Sequence, residues 1–477
     1  MSIAESIFYG EFPKSVLEQA DSARRLSVSA QLARRLDFRG KAIFAFTETV
    51  DTPTSCAYSL YPTQDGWKLG IHVADVCEYA CEGSPLDTEA RRRRAAVATY
   101  AMRSDMLPHE IVYELCNLAK DGDKLAISII IELDSALNIQ EITVEESVVH
   151  ICGKCLYNEI DQLREAKNRS SVMLLANKYA PFADVIDNMY MLSDQLRAKR
   201  AERGGLDCIR FNRTYVRNDN QQITDFIRES EPTSRAMLRE ICYFAAEAVG
   251  KFALKHKLPC IFNGRASVPQ DILKYLCNLV GVQYTEESPA LLTAKIAERA
   301  KKSPYYAFVC DAIANNIPRA VYSTEPSPNA FCGCDHIVSF FNPTIRYTDL
   351  VIQRVLKAAI QAGDVKNLIP SKHKKLMDDA TIEANSAEMF LHKAYRQFAT
   401  TDALEYLKNN YGGLFVGFPV LTNTNGEVIV YLECGLQAVI PAEYAADYKY
   451  RTAQPERFEI ISVGTNHVDT TIRPVFN

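Results

Sequence analysis

The chain has 477 residues, 47% of them hydrophobic and 24% charged, with a net charge of −5 and a pI near 6.0. This ordinary globular balance excludes a mostly disordered or fibrous chain and allows roughly two to four domains. The acidic balance excludes a broad basic nucleic-acid surface, so any RNA or DNA site has to be a local channel or rely on stacking. No apolar run reaches the ~20 residues that span a bilayer. The N-terminus lacks a basic stretch followed by an apolar one, which points to a cytoplasmic protein and leaves organellar import open.

In chain order, residues 1–36 read as a polar lead-in with one helix, from the spacing of Val16, Leu17, Ala20, Ala23 and Leu26. Residues 36–134 turn β-rich. Asp65-Gly66 between two apolar runs predicts a hairpin whose glycine supplies a positive φ. A helix is expected over 86–100, before Met106-Leu107-Pro108 breaks the pattern, and a strand over 124–133. Residues 146–160 read as strand. Apolar positions at i, i+3 and i+4 predict helices over 168–203, 233–255 and 268–280. From 415 onward the pattern is β again, with Asn425-Gly426 marking a second hairpin and strands expected around 438–440, 458–463 and 470–472. That set reads as a five-stranded barrel of OB type.

The chain has 14 cysteines, which without a secretion signal read as free thiols. Cys152 and Cys155, and Cys332 and Cys334, with His150 and His336 nearby, have spacings that suit zinc. On a strand, positions 152 and 155 face opposite ways, so small buried apolar cysteines are the preferred reading.

Several blocks carry a resemblance: 67–77 (WKLGIHVADVC), 84–93 (SPLDTEARRR), Met106-Leu107-Pro108, 115–134, 203–208 (RGGLDC), 231–252, 322–326 (YSTEP) and 342–350 (NPTIRYTDL). In this order they resemble the catalytic domain of the ribonuclease II / ribonuclease R (RNB) family of 3′→5′ exoribonucleases. The resemblance implies an α+β fold, a mixed sheet surrounded by helices, followed by a C-terminal OB-fold barrel of the S1 type. It divides the chain into a lead-in (1–36), an exoribonuclease-like domain (37–408) and the barrel (409–477). The family also carries two cold-shock barrels ahead of this domain, for which residues 1–36 are too short.

Hydrolysis of a phosphodiester by water needs a divalent metal to polarise the phosphoryl oxygen and supply a hydroxide-like nucleophile. Magnesium takes hard oxygen ligands. The resemblance implies four aspartates just after a strand, together with an arginine that meets the developing charge. Here the stretch reads Phe46-Thr47-Glu48-Thr49-Val50-Asp51-Thr52-Pro53-Thr54-Ser55-Cys56-Ala57 and is two residues shorter. Aligned from its start it puts Thr49 at the first aspartate; aligned on Ala57 it puts Pro53, Ser55 and Cys56 at the others. A hydroxyl is a poor magnesium ligand and a thiol has the wrong softness. Ile345 stands at the arginine, with Arg346 kept beside it, and Asn329 stands at a family histidine. The losses fall on one constellation. No metal cofactor is therefore expected, although Glu48 and Asp51 offer two carboxylates for a rebuilt site; the alternative is that they are exposed ends of a strand and a turn. Glu388 matches a family glutamate that acts near the RNA 3′ end, or is a solvated helix carboxylate.

What can survive is RNA binding. Tyr100 lies near the family's stacking tyrosine, with core packing as the alternative. Arg91, Arg92 and Arg94 belong to the most basic run, which reads either as phosphate contacts or as a solvated helix face. Arg346 is the better phosphate candidate, since in the family its motif lines the cavity. Residues 411–477 carry four basic against seven acidic side chains, a charge that favours protein contacts over phosphate. Three functions follow: an RNA-binding pseudo-exoribonuclease that holds single-stranded RNA, a protein scaffold in an RNA-processing or ribonucleoprotein complex, and an active exoribonuclease with a relocated metal site.

Overall fold

The run Ala-Ile-Ser-Ile-Ile-Ile at 126–131 is apolar on both faces of a strand, the mark of a central strand covered from both sides. The computed structural model, which describes residues 9–98, 103–119, 121–166, 169–207, 211–286, 288–303, 305–362, 370–446, 448–450, 454–464 and 470–475, places it there. The strands of the first half are β1 (Leu36–Asp37), β2 (Phe44–Thr47), β3 (Cys56–Pro62), β4 (Gly66–Ala74), β5 (Val97–Ala98), β6 (Arg103–Ser104), β7 (Asp123–Asp134), β8 (Ile139–His150) and β9 (Gly153–Leu156). Seven of them form one mixed sheet in the order β1-β8-β7-β4-β3-β2-β9, with β7 and β4 near the middle. The pairs β1/β8 and β2/β9 are parallel and the others antiparallel.

The 65–66 hairpin is present, and its glycine has the expected positive φ (+158°). A Cβ there would also lie 2.1 Å from the Leu133 carbonyl oxygen, so the close approach of β7 requires glycine as well. The 86–100 helix is shorter than expected. It runs Pro85–Arg93, and Arg94 has φ +64°. The Ala96 amide then bonds the Ile345 carbonyl, and the Tyr347 amide bonds the Arg94 carbonyl, so pairing with a distant segment overrides local helix propensity. Tyr100 lies outside the described residues. The strand reading of 146–160 is also corrected: β8 ends at His150, β9 is Gly153–Leu156, and a helix takes Tyr157–Glu165. Residues 168–203 are split at Pro181, which lacks the N–H a continuing helix needs. The helix Thr233–Lys255 has the bounds its periodicity predicts, and Lys14–Ala23 buries Val16 and Ala20.

Helices Ala183–Glu202, Thr233–Lys255 and Tyr347–Gln361 pack against the sheet. The lead-in is tied down by charge. Arg35 and Asp75, both fully buried, pair at 2.7 Å, and Lys357 reaches Asp75 at 2.7 Å and Glu78 at 2.5 Å. Arg34 adds Glu78 and Glu146. Each buried carboxylate thus meets a cation, the condition for burying charge at all.

Two antiparallel strand pairs, the hairpin β10/β11 (Phe211–Arg217, Ile223–Ser230) and the long-range pair β12/β13 (Phe262–Gly264, Val321–Ser323), precede the long helix Pro370–Asn409. That helix leads into β14 (Leu414–Thr422), β15 (Val428–Leu432), β16 (Gln437–Ile440), β17 (Glu456–Ser462) and β18 (Thr471–Pro474). These close a barrel in the order β14-β15-β16-β18-β17, with β17 pairing back to β14 and β16 parallel to β18, the OB arrangement. Gly426, at φ +79°, makes the predicted turn, and Asn423 Oδ1 accepts from the Asn425 and Glu427 amides.

Candidate functional site

The helix Tyr347–Gln361 starts one residue after Arg346, whose extended backbone directs the guanidinium back over the segment before it. Arg346 Nη2 donates to Ser339 Oγ (2.7 Å) and Asp349 Oδ2 (3.1 Å). Asp349 is fully buried, and its Oδ2 also accepts from Ser339 Oγ and the Asn342 amide. Burial by itself would favour a neutral guanidinium, but Asp349, Tyr322 and Glu388 hold Arg346 charged. Its Nε is buried and has no hydrogen-bond partner among the described residues.

A cavity of about 190 Å³ opens beside it, lined among others by Arg94, Tyr322, Ile345, Arg346, Glu388 and Tyr395. The long helix supplies Glu388 and Tyr395, seven positions apart on one face. Asn385 on the same helix donates to the Tyr322 carbonyl (2.8 Å) and accepts from the Tyr322 amide (2.9 Å), clamping β13 so that Tyr322 meets the cavity. Two acids, Glu383 and Glu388, line the same cavity as Arg94 and Arg346.

Three of the sequence-predicted residues, Arg94, Arg346 and Glu388, therefore converge, with Ile345 on the same wall. Arg91 is held by Glu383 (2.9 Å) and Asp379 (3.4 Å) of the long helix. Arg92 pairs with Glu89 at 2.6 Å. Arg93 is buried, stacks 3.7 Å over the Phe12 ring and donates to the Gly10 carbonyl. Only Arg94 of the run lines the cavity without an ion pair among the described residues. Sequence reasoning missed Asn385 and Tyr395. Their spacing from Glu388 along one helix face was the available signal.

The positions implied for magnesium ligands are differently built. Thr49 is exposed and shares a hydroxyl contact with Thr52 (2.8 Å). Pro53 has no side-chain donor. Ser55 is buried and donates to the Phe341 carbonyl (3.1 Å). Cys56 sits among Tyr58 and Cys242, whose hydroxyl and thiol are 3.3 Å apart, and burial raises the thiols of Cys56 and Cys242, the latter to about 11. Glu48 is taken by Arg235, and Asp51 is exposed. This donor set, neutral hydroxyls and protonated thiols, does not fit magnesium. Among the described residues the one group of three close ligand atoms is Asp75, Glu78 and Glu146, already neutralised by Arg34, Arg35 and Lys357.

The zinc spacings form no such group among the described residues. Cys155, Cys332 and Cys334 are buried as read, but Cys152 is exposed, because it lies in the turn before β9, and donates to the Lys41 carbonyl. Asn329 is structural: its Nδ2 donates to the Asn263 carbonyl and its Oδ1 accepts from the Cys332 amide.

A second, larger cleft of about 860 Å³ lies between the barrel and the helices, and Tyr395 lines both it and the first cavity. Arg213 here is bound to Asp311 and to the Glu433 carbonyl, and Tyr431 donates to Asp311 (2.6 Å).

Comparison with known proteins agrees with this architecture. The RNB domain profile matches residues 35–362. Ribonuclease R of Thermotoga maritima is 25% identical over 451 residues, covering 92% of this chain and 62% of the relative. Ribonuclease R 1 of Lactococcus lactis is 21% identical, covering 92% and 54%. The chain thus spans between half and two thirds of the length of these relatives. The structure of Mycoplasma genitalium RNase R in complex with ribose-methylated single-stranded RNA superposes with a TM-score of 0.83 at 17% identity, covering 99% of this chain and 77% of that one. Yeast Ssd1, described as a pseudonuclease, superposes at 0.64 with 19% identity, covering 88% and 52%. With its matched segment spanning more than half the sequence, its mixed sheet and its closed C-terminal barrel, the chain belongs to the RNB-domain family.

Proposed function

We propose that this protein is an RNA-binding pseudo-exoribonuclease, which holds the 3′ end of single-stranded RNA without hydrolysing it, in a cytoplasmic setting. The observation that supports the reading is a difference in side-chain chemistry. The cavity around Arg346 holds Arg94 and Glu388, while Thr49, Pro53, Ser55, Cys56 and Ile345, which the resemblance sets at the metal-ligand and arginine positions, offer neither a carboxylate nor a guanidinium. A metal's Lewis-acid and nucleophile roles are each worth several kcal/mol, and about 1.4 kcal/mol is tenfold in rate, so their joint loss removes many orders of magnitude. In this reading Arg94 and Arg346 contact phosphate, Tyr322 and Tyr395 offer faces for bases, and Arg91 and Arg92 shape the wall through their ion pairs. Residues 37–408 act as one body and 409–477 as the barrel beside the strand's path. RNA complexes of the M. genitalium relative support the partner class.

The test is a 5′-labelled RNA of about 30 nucleotides with magnesium or manganese, read for gel shift and for product ladder. A salt-sensitive shift with intact RNA is the expected result. A ladder abolished by chelator would instead return the active exoribonuclease with a relocated metal site. A second reading, a protein scaffold, is favoured by one observation: in the cleft to the barrel Arg213 is held by Asp311. Neither shift nor ladder would move the function there.

A further inference from the structure

The main sheet has a strand edge at β8 that no other described strand covers. β1 pairs with β8 only at Ser147 and Val148, so residues 139–145 of β8 have β7 on one side and, among the described residues, no strand on the other. Outside the β7 ladder, the backbone of 139–145 makes no hydrogen bond among the described residues. A strand directs alternate N–H and C=O groups to each side, so this edge presents a row of unpaired donors and acceptors. It is not recessed against a flat surface. A groove of about 990 Å³ runs along it, with Phe252, Leu356, Ala359 and Ile360 on the wall opposite Ile142 and Val144. Ile142, Val144 and Phe252 are only partly buried against the core.

We propose that this edge and groove bind an extended segment of a partner protein by strand addition, with apolar residues on its inner face alternating with lysine or arginine on its outer face. The inner requirement follows from the apolar wall. The outer one follows from Glu141 and Glu145, which lie on the other face of β8 and have no ion pair among the described residues; Glu132, beside Glu141 on β7, is already paired with Lys68. Opposite charges directly across a strand pair stabilise it, and like charges destabilise it. The same charges disfavour a second copy of this chain. An antiparallel pair about Thr143 would place Glu141 against Glu145 twice, and an in-register parallel pair would place each against itself. An RNA backbone is disfavoured for the same reason. Lys251, Lys255 and His256 rim the helix side of the groove, where an acidic residue of the partner is accommodated. Main-chain bonds supply affinity and alternate pockets supply specificity, the logic of β-augmentation.

The probe is a fluorescein-labelled octapeptide alternating lysine with valine, and the counter-probe alternates glutamate with valine. Both are titrated into the full chain by anisotropy, with amide hydrogen exchange read on the complex. The expected result is that the lysine peptide binds at least fivefold more tightly and slows exchange at alternate amides of 139–145. The double variant Glu141→Lys, Glu145→Lys is expected to reverse that preference while its affinity for the labelled 30-nucleotide RNA is unchanged. Absence of binding, binding without protection at 139–145, protection of this edge by RNA, or indifference to the charge reversal would each overturn the proposal. Because the RNA readout is separate, failure here leaves the RNA-binding reading standing, and the converse also holds.

Discussion

Ser55 Oγ donates to the Phe341 carbonyl at 3.1 Å. This joins the loop of residues 49–55 to the segment that leads to Arg346, by a direct hydrogen bond from a buried side chain.

That bond makes restoration of the aspartates a poor route to activity. The variant Ser55→Asp, Cys56→Asp places two carboxylates in a buried site beside the raised thiol of Cys242, with Thr49, Pro53 and Ile345 still in place. Burying an unpaired carboxylate is costly, so a lower melting temperature and no magnesium-dependent 3′ shortening are expected. Magnesium-dependent trimming by this variant, read on the labelled RNA, would count against the assignment of these positions.

Arg94 is the test of phosphate contact that leaves the core alone. It is exposed at the end of the helix Pro85–Arg93 and lines the cavity. Arg94→Ala should weaken RNA binding roughly three- to tenfold and flatten the salt dependence by about 0.7 in log–log slope, the share of one single-strand phosphate contact. The melting temperature should stay unchanged. An unaltered affinity would remove Arg94 from the site.

A half-buried charge pair adds to the apolar packing of Phe418 and Tyr431 on Phe308 in attaching the barrel. Asp311 accepts from both Arg213 and Tyr431, and Arg213 also reaches the Glu433 carbonyl. Asp311→Ala leaves Arg213 largely buried without its counter-charge, a change of the kind that costs about 3–5 kcal/mol. Thermal unfolding and limited proteolysis near residues 409–414 would report it. A neutral effect would mean that solvent already reaches the pair.

His72 gives a pH signature. Its Nε2 meets Ser59 Oγ (3.0 Å) and its Nδ1 meets Ser128 Oγ (2.7 Å), which continues to Ser147 Oγ (2.7 Å), a polar chain across β3, β4, β7 and β8. Burial pushes the imidazole down to about 3. A depressed histidine stays neutral when folded but takes a proton when unfolded below about pH 6.5, so its contribution is complete above 6.5 and is lost as pH falls toward 3. The slope from this one group approaches ~1.4 kcal/mol per pH unit below 6.5. Urea midpoints of the wild type should drop between pH 6.5 and 5 more steeply than those of His72→Gln. Parallel profiles would show that the ring is solvated.

The helix Thr233–Lys255, the strand β7 and the barrel were legible because each carries its own periodicity or turn chemistry, as Asn425-Gly426 does. The helix over 86–100 was not. Its second half has helical residues, yet Ala95, Ala96 and the segment around Ile345 satisfy one another's backbone groups instead. Within the site, Arg346 and Glu388 were legible through the family motif. Arg91 and Arg92 looked equivalent to Arg94 in the sequence, and only the positions of Glu383 and Glu89 separate them.

The sequence by itself determined the ligand chemistry of residues 49–56, because residue type sets coordination chemistry before any folding: no arrangement turns Pro53 or Cys56 into a magnesium carboxylate. It determined the family, since ordered blocks of side chains survive drift at scattered positions. Only the tertiary structure decided where charge is available. Glu48 has the composition of a ligand and is taken by Arg235; Arg93 has the composition of a phosphate contact and is buried against Phe12. The same holds for the open edge of β8. Its residues read as an ordinary strand, and whether a neighbour covers residues 139–145 depends on where β1, 100 residues away in sequence, stops pairing.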